Sequence, residues 1–447
     1  MAITPEQDYV MKSIKSRDVH FVRFWFTDAL GNMKSFAVSP SELEQAFENG
    51  MGFDGSCIAG FSAAQESDML AFPDPSTFQV LPWRPSSNAV ARMFCDIRMP
   101  DGSAFEGDPR HILNKQLDRA FEAGYEFNVG PELEYYYFED GKGTKVLDRG
   151  GYFDLTSLDS ASDLRRDTVL TLENMGIPVE YSHHEIGPSQ HEIDLRYADA
   201  LSMADAVMTY KLVVKEIAIK HGVYASFMPK PMQDAPGSGM HIHQSLFDQD
   251  GNNAFYDADD PLGMNLSSVA KSYIAGILKY APEFCLVTNQ YVNSYKRLAA
   301  GGEAPAYLSW AHNNRSTLVR VPGYRPRKPE ACRIDLRSPD PSANPYLAFT
   351  VMLAAGLRGI EEGLEAPDPV DDTNLFEHSR ACLDSKGFKT LPLSLGDAID
   401  CFEGSDFMKQ VLGEHIHTYL VNEKRAEWEA YRRNVSQWEL DRYLGVL

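Results

Sequence analysis

No Cys-x-x-Cys pair occurs in the chain; six cysteines stand singly along 447 residues. That spacing excludes a zinc ribbon and a disulfide framework, and it fits a reducing compartment. Long hydrophobic runs are also missing. The longest, Pro345 to Leu357, is too short to span a bilayer and reads as a buried helix. Met1 to Asp18 holds no apolar core of a secretion signal, so a cytoplasmic protein without a membrane partner is expected. Positive charge is scarce: 42 Lys and Arg face 64 Asp and Glu, a net charge of −22. Such a balance argues against general nucleic-acid binding and against attraction to anionic membrane surfaces. Neither a P-loop nor a kinase-type Gly-rich motif is present, and there is no internal repeat. What is there, 43% hydrophobic and 24% charged residues, suits a globular chain with room for two or more domains.

Local patterns give the organisation. Phe21 to Phe26 and Lys34 to Val38 read as paired strands. Ser39-Pro-Ser-Glu42 has the form of a capping box opening a helix that runs to Asn49 and stops at Gly50. Gly52 to Phe61 reads as a Gly-rich loop around Asp54, with strands to follow near Phe78 to Leu81 and Ala91 to Ile97. The expectation is a small β-rich domain with one helix over residues 1–105. Asp108-Pro109 then caps a helix ending at Gly124. Further helices are predicted on the stripe Val207, Tyr210, Val214 and Ile217, over Val269 to Tyr280, after Asn344-Pro345, and through much of Asp397 to Leu447. Strands and helices do not alternate regularly, so residues 106–447 read as a second domain and the whole as α+β.

The chemistry centres on Gly130-Pro-Glu-Leu-Glu-Tyr-Tyr-Tyr-Phe138, a strand after a Gly-Pro break. Alternation puts Glu132 and Glu134 on one face, roughly 6.6 Å apart along the strand. A solvated face is one reading. Bulky residues on both sides favour burial, where such a pair needs a cation such as Mg²⁺ or Mn²⁺. Glu185 and Glu192 flank a Gly-Pro turn in His183-His-Glu-Ile-Gly-Pro-Ser-Gln-His-Glu192, and a hairpin would bring them together. Gly237-Ser-Gly-Met-His-Ile-His243 sets His241 and His243 on one strand face behind a small-residue loop. Zinc would call for a closed set of N and S ligands. With four glutamates upstream, a mixed carboxylate–imidazole site is the better fit. Charge then inverts: Tyr291 to Ser338 carries nine Lys or Arg against three acidic residues. The arginines alternate with apolar residues, as in Arg333-Ile-Asp-Leu-Arg337, and Arg recognises phosphate and carboxylate in a bidentate manner. Acidic metal ligands plus convergent arginines are the equipment of phosphoryl transfer.

With these motifs in order, Phe53-Asp-Gly-Ser56, Glu132-x-Glu134, Gly237-Ser-Gly-Met-His241, Asn293-Ser-Tyr-Lys-Arg297, Asn314-Arg-Ser316 and Pro339-Asp-Pro-x-x-Asn-Pro-Tyr346, the chain resembles bacterial type I glutamine synthetases along nearly its whole length. The resemblance implies an N-terminal β-grasp domain and a C-terminal catalytic domain with a curved antiparallel sheet. It implies a homo-oligomer, a dodecamer of two hexameric rings, with each site between neighbouring subunits. The implied reaction joins ammonia to the γ-carboxylate of glutamate through γ-glutamyl phosphate, with ATP as co-substrate and Mg²⁺ or Mn²⁺, about two or three per site, as cofactor. By position, Glu134, Glu185 and Glu192 would hold one metal, and Glu132, His241 and Asp335 a second. Arg297, beside Gly237, would grip glutamate, while Arg315 and Arg337 would stabilise the transferring phosphoryl group. Arg320, Arg333, His243 and Ser245 would serve the nucleotide. Glu303 would lie on a closing flap, and Asp54 would reach in from the adjacent subunit to deprotonate the amine.

Four positions depart from the family pattern. Cys57 stands for a second Ser, Pro236 for a common Asn, and Asp335 for a longer Glu, while Phe376 occupies the place of an adenylylated Tyr. Two alternatives therefore accompany the leading one: a γ-glutamyl-amine ligase using a polyamine or ethanolamine, and a non-catalytic ring protein of the same fold.

Overall fold

The computed structural model describes residues 3–61, 68–261, 263–299, 304–324 and 328–447. The chain opens with α1 (Pro5–Ser16), β1 (Val19–Thr27), β2 (Met33–Val38), α2 (Leu43–Asn49), β3 (Met51–Asp54), β4 (Asp68–Pro73), β5 (Gln79–Val80) and β6 (Ala89–Arg98). These strands form one sheet in the order β2-β1-β6-β4-β3, with β5 against β6. β1 and β6 run parallel, and the other pairs are antiparallel.

Strand alternation explains how this sheet joins the rest of the molecule. Val22, Phe24 and Phe26 of β1, with Ala91, Met93 and Cys95 of β6, fill a small core of their own. Trp25 and Phe94 point the other way, into the large core. Their rings meet edge to face at 5.7 Å. Arg92 lies over both rings, 5.4 Å from Trp25 and 4.8 Å from Phe94. The two cores are thus fastened through opposite faces of the same two strands.

The larger part follows: α3 (Pro109–Glu122), β7 (Tyr125–Phe138), α4 (Ser162–Asn174), β8 (Val179–His184), β9 (Gln190–Leu195), β10 (Ala198–Asp199), α5 (Ala200–Lys220), β11 (Tyr224–Ser226), β12 (Met240–Asp248), α6 (Ser268–Thr288), α7 (Val292–Arg297), β13 (Trp310–His312), β14 (Val319–Val321), β15 (Ile334–Leu336), α8 (Pro345–Glu361), α9 (Arg380–Ser385), α10 (Leu395–Glu403), α11 (Asp406–Arg432) and α12 (Gln437–Tyr443). Its curled sheet has the order β13-β14-β15-β12-β7-β9-β8, antiparallel except for β13 and β14. β7 is the spine. On one edge it pairs β12; on the other it pairs β9 from Glu132 to Tyr136 and β10 at Asn128 and Val129. Pro131 falls in the gap between β9 and β10, so a residue without an N–H interrupts neither of those pairings.

Behind the sheet, α6 and α8 pack against each other at glycines. A Cβ on Gly276 would lie 2.1 Å from the Ala355 carbonyl oxygen, and one on Gly359 would lie 2.1 Å from that of Ser272. Both obstacles are backbone and cannot swing aside. Gly359→Ala should therefore cost about 3 kcal/mol through overpacking, seen as a lower unfolding midpoint. Gly143→Ala, with nothing within 4 Å of the new Cβ, should leave the midpoint unchanged.

Local expectations fare unevenly. Ser39 makes no side-chain cap; its Oγ lies 3.0 Å from Ser41 Oγ, and Pro40–Glu42 form a single 3₁₀ turn before α2. Met51–Asp54, read as the start of a loop, is an edge strand. The small domain has two helices, because α1 carries its own capping box at Thr4. α6 continues past Tyr280 through Pro282 to Thr288. There its surroundings are buried, and packing outweighs one lost helix bond.

Candidate active site

Directly paired residues in an antiparallel ladder project from one face, so strand register builds the site. The first row is His183, Glu192 and Glu134, across β8, β9 and β7. The second is Tyr181, Asp194, Glu132 and His241, the last on β12. A third row reaches from His243 through Asp335 to Arg320 on β14. Alternation thus delivers carboxylates and imidazoles on one side and arginines on the other, over a single face of the sheet.

That face floors a cavity of about 840 Å³ lined by Glu132, Glu134, Glu185, Glu192 and His241, with Arg297, Arg315, Arg320 and Arg337 opposite. Gly237, Pro236 and Phe376 also line it. The hairpin expected around the Gly-Pro turn is formed by β8 and β9, and one ligand atom each from His183, Glu185 and Glu192 falls within 4.8 Å of the others. Glu185 accepts from His183 Nε2 at 2.8 Å and from the Ile186 N–H at 3.0 Å. Glu134 faces this group; its Oε2 accepts from the Gly239 N–H at 2.8 Å and Gln190 Nε2 at 3.2 Å. Burial, and then the Glu185 charge, push the Glu134 carboxyl up to about 8. Glu192 is raised as well, by burial and by Asp194 and Glu134. Glu132 behaves oppositely. Burial works against its charge, yet His243 and His241 hold it well below the usual carboxylate range. Its oxygens lie 2.6 Å from His243 Nε2 and 3.3 Å from His241 Nδ1.

Four carboxylates converging with imidazoles and no thiolate are an oxygen-rich donor set that fits a hard divalent cation. A raised carboxyl must shed its proton when a cation binds. At pH 7, calorimetry in buffers of different ionisation enthalpy should therefore record proton release on Mg²⁺ binding, fading above pH 9. The sign for the metal-free protein is opposite. A carboxyl whose folded value is raised to about 8 gives its stabilisation below the unfolded carboxylate value and loses it as pH rises to about 8. The metal-free melting temperature should fall over that interval, and Mg²⁺ should restore it.

The arginine side is equally constrained. Arg297 is buried and donates from Nη1 to the Ser338 and Pro339 carbonyls at 2.7 and 3.2 Å, and from Nη2 to the Arg337 carbonyl at 3.1 Å. Gly237 and Gly239 form its socket. A Cβ on Gly237 would come within 2.8 Å of Arg297 Cγ, and one on Gly239 within 2.6 Å of its Nη2. The Gly-Ser-Gly motif thus serves close approach, since neither glycine has a positive φ. Asp335 is fully buried and turns to the arginines, with Oδ2 3.4 Å from Arg320 Nε and 3.5 Å from Arg337 Nη1. It shares its face with Glu132 and His241, and all three lie outside the close ligand groups found among the described residues. Arg333 Nε donates to His243 Nδ1 at 3.1 Å, one layer behind the cavity wall, and Ser245 lies farther along β12.

Among the described candidates, His243, Ser245, Arg333 and Asp335 stand behind the lining, and Asp54 lies apart from it. Asp54 ends the exposed edge strand β3, accepts from the Ser56 N–H at 2.9 Å, and does not line the cavity. Glu303 lies outside the described residues. Others were not singled out from sequence: His183, Gln190, Tyr181 and Asp194. His183-x-Glu185 and Glu192-x-Asp194 continue the same-face alternation that marks Glu132-x-Glu134, and that was the available signal.

Comparison with known proteins agrees with this geometry. Residues 106–443 match the family model described as glutamine synthetase, catalytic domain, and residues 18–100 match glutamine synthetase, beta-Grasp domain. The chain is 52% identical over 447 residues to a glutamine synthetase of Mycolicibacterium smegmatis, covering 99% of each chain. It is 50% identical to that of Methanosarcina mazei, covering 99% of this chain and 98% of the other. Among solved structures, one described as a GmaS/ADP complex superposes with a TM-score of 0.88 at 30% identity, covering 97% of this chain and 99% of that one.

Proposed function

Since the chain belongs to the glutamine synthetase family, we propose that the cavity between the carboxylate rows and the arginines is where it makes glutamine. The protein is an ATP-dependent ligase that joins ammonia to glutamate. The observation that carries the site assignment is the opposition of Glu132, Glu134, Glu185 and Glu192 to Arg297, Arg315, Arg320 and Arg337 around one cavity. A carboxylate is a poor acylating agent because its leaving group would be oxide. Transfer of the γ-phosphoryl group gives γ-glutamyl phosphate, from which phosphate departs. The family's divalent cations, Mg²⁺ or Mn²⁺ in this proposal, supply charge neutralisation for the meeting of two anions when bound.

The chain's own residues take the remaining work. Glu134, Glu185, Glu192 and His183 hold one cation; Glu132 and His241 hold a second, with Asp335 behind them. Arg297, fixed in its glycine socket, orients the glutamate carboxylate. Arg315 and Arg337 face the transferring phosphoryl group, where fixed cations stabilise developing charge. Arg320, Arg333, His243 and Ser245 attend the nucleotide, and Glu303 is assigned a part in excluding water from the acyl phosphate. Asp54 takes a proton from the amine in the site of a neighbouring subunit. Its place on an exposed edge, away from its own cavity, supports an assembly of rings, for which a dodecamer is proposed. The same proposal puts the enzyme in the cytoplasm, where its six free cysteines would stay reduced. Among the described residues, no helix is long and apolar enough to cross a membrane.

The test is glutamate-dependent ADP release with a panel of amines. Ammonium should exceed putrescine, spermine and ethanolamine in kcat/KM by at least about tenfold, or 1.4 kcal/mol of transition-state discrimination. A preference of that size for a larger amine would overturn the substrate assignment while leaving the phosphoryl-transfer site standing.

A further inference from the structure

Asp194 is the one carboxylate on this face whose role the reaction as described leaves open. It stands directly across from Glu132 on one side and Tyr181 on the other. Its exposure is only 3%, and neither carboxylate oxygen makes a hydrogen bond of full geometry, although the Tyr181 hydroxyl and the Glu192 carboxyl stand close by. Buried polar atoms in folded proteins are almost always paired, and a carboxylate left alone is costly. On its own β9, Glu192 lies two residues away on the same face, and the cavity is lined by Glu132, Glu192 and Tyr181 rather than by Asp194 itself. Asp194 therefore sits one layer behind groups that touch the cavity. It is too recessed to be a direct ligand and too polar to be filler.

Mg²⁺ dehydrates reluctantly and keeps several waters when held by one or two carboxylates. Such waters are strong donors, and a buried anion behind the direct ligand is the acceptor they need. We propose that Asp194 is an outer carboxylate of the cation site at Glu132, accepting hydrogen bonds from water on the bound cation and thereby setting its affinity without adding a site. The inference rests on the metal-site reading above. It makes Asp194 a positioning residue that acts through Glu132 and bound water.

Asp194→Asn keeps the shape and removes the charge, so the test is Mn²⁺ binding followed by electron paramagnetic resonance at fixed pH. The expected result is a roughly tenfold loss of affinity, within the range for outer-shell partners, at an unchanged number of tight sites. The metal-free variant should melt no lower than the parent, because a buried like charge is gone. Affinity within twofold of the parent would overturn the proposal, wherever the melting temperature moves. Loss of a whole tight site would also overturn it, by making Asp194 a direct ligand. Asp194→Ser, smaller and still polar, provides the same readout if the Asn variant does not fold. Glu132→Gln is the control for the underlying reading. If it too keeps full affinity and stoichiometry, the metal assignment has failed, and not the role of Asp194 alone.

Discussion

Glu134→Gln should reduce ligase turnover by about a thousandfold, close to 4 kcal/mol of transition-state stabilisation, while the metal-free protein becomes no less stable. The two effects share one cause. Glu134 lies across β7 and β9 from Glu192, and Glu185 raises its carboxyl further after burial has done so. In the metal-free protein these anions oppose one another, so neutralising one relieves repulsion. Gln retains an oxygen to accept from the Gly239 N–H, a bond of 2.8 Å in the parent, so local geometry survives. With cation bound the balance reverses. On the proposed assignment the carboxylate becomes a ligand, and a neutral amide oxygen is a weaker one. Turnover should be measured over a Mg²⁺ titration, with thermal unfolding in chelator beside it. Activity within tenfold of the parent at saturating Mg²⁺ would remove Glu134 from the metal set. A large drop in the metal-free melting temperature would show that its role is structural.

Much of this was legible because strand alternation is a strict rule. Glu132 and Glu134 can share a face only if residues 130–138 are a strand, and β7 is that strand. The same rule placed His241 with His243, and the Gly-Pro turn placed Glu185 near Glu192. Illegible was the register between strands distant in sequence. Nothing in the run Arg333-Ile-Asp-Leu-Arg337 says that Asp335 will lie opposite both His243 and Arg320, and so answer to arginines. Asp194 was overlooked for a related reason: its importance comes from Glu132, 62 positions earlier, across a ladder. At Ser39 the motif was present, but the chain turned too tightly for it to form. At Gly52 the signal misled, because glycine suits an edge strand as well as a loop, and pairing with β4 decided the matter. Conversely, the glycines at 237 and 239 were seen, but their reason, the passage of Arg297, appears only in three dimensions.

Asp54→Ala should lower glutamine formation by about 10³-fold, in the range for loss of a general base, while leaving measurable glutamate-dependent ATP hydrolysis. Ammonium has no lone pair to attack with, so it must lose a proton at the site. Phosphorylation of glutamate needs no such base, and the acyl phosphate formed in the variant meets water instead of amine. Asp54 is placed for this only if it serves another subunit, since it ends an exposed edge strand and does not line its own chain's cavity. A mixing experiment separates the two geometries. Asp54→Ala and Glu134→Gln subunits are each inactive as pure assemblies. Co-assembled at random in equal amounts around a head-to-tail ring, about a quarter of the sites would pair an intact Glu134 with an intact Asp54 from the neighbour. Activity should therefore return to roughly a quarter of the parent's if Asp54 acts across the interface. If Asp54 acts within its own chain, no subunit in the mixture carries both groups, and co-assembly restores nothing.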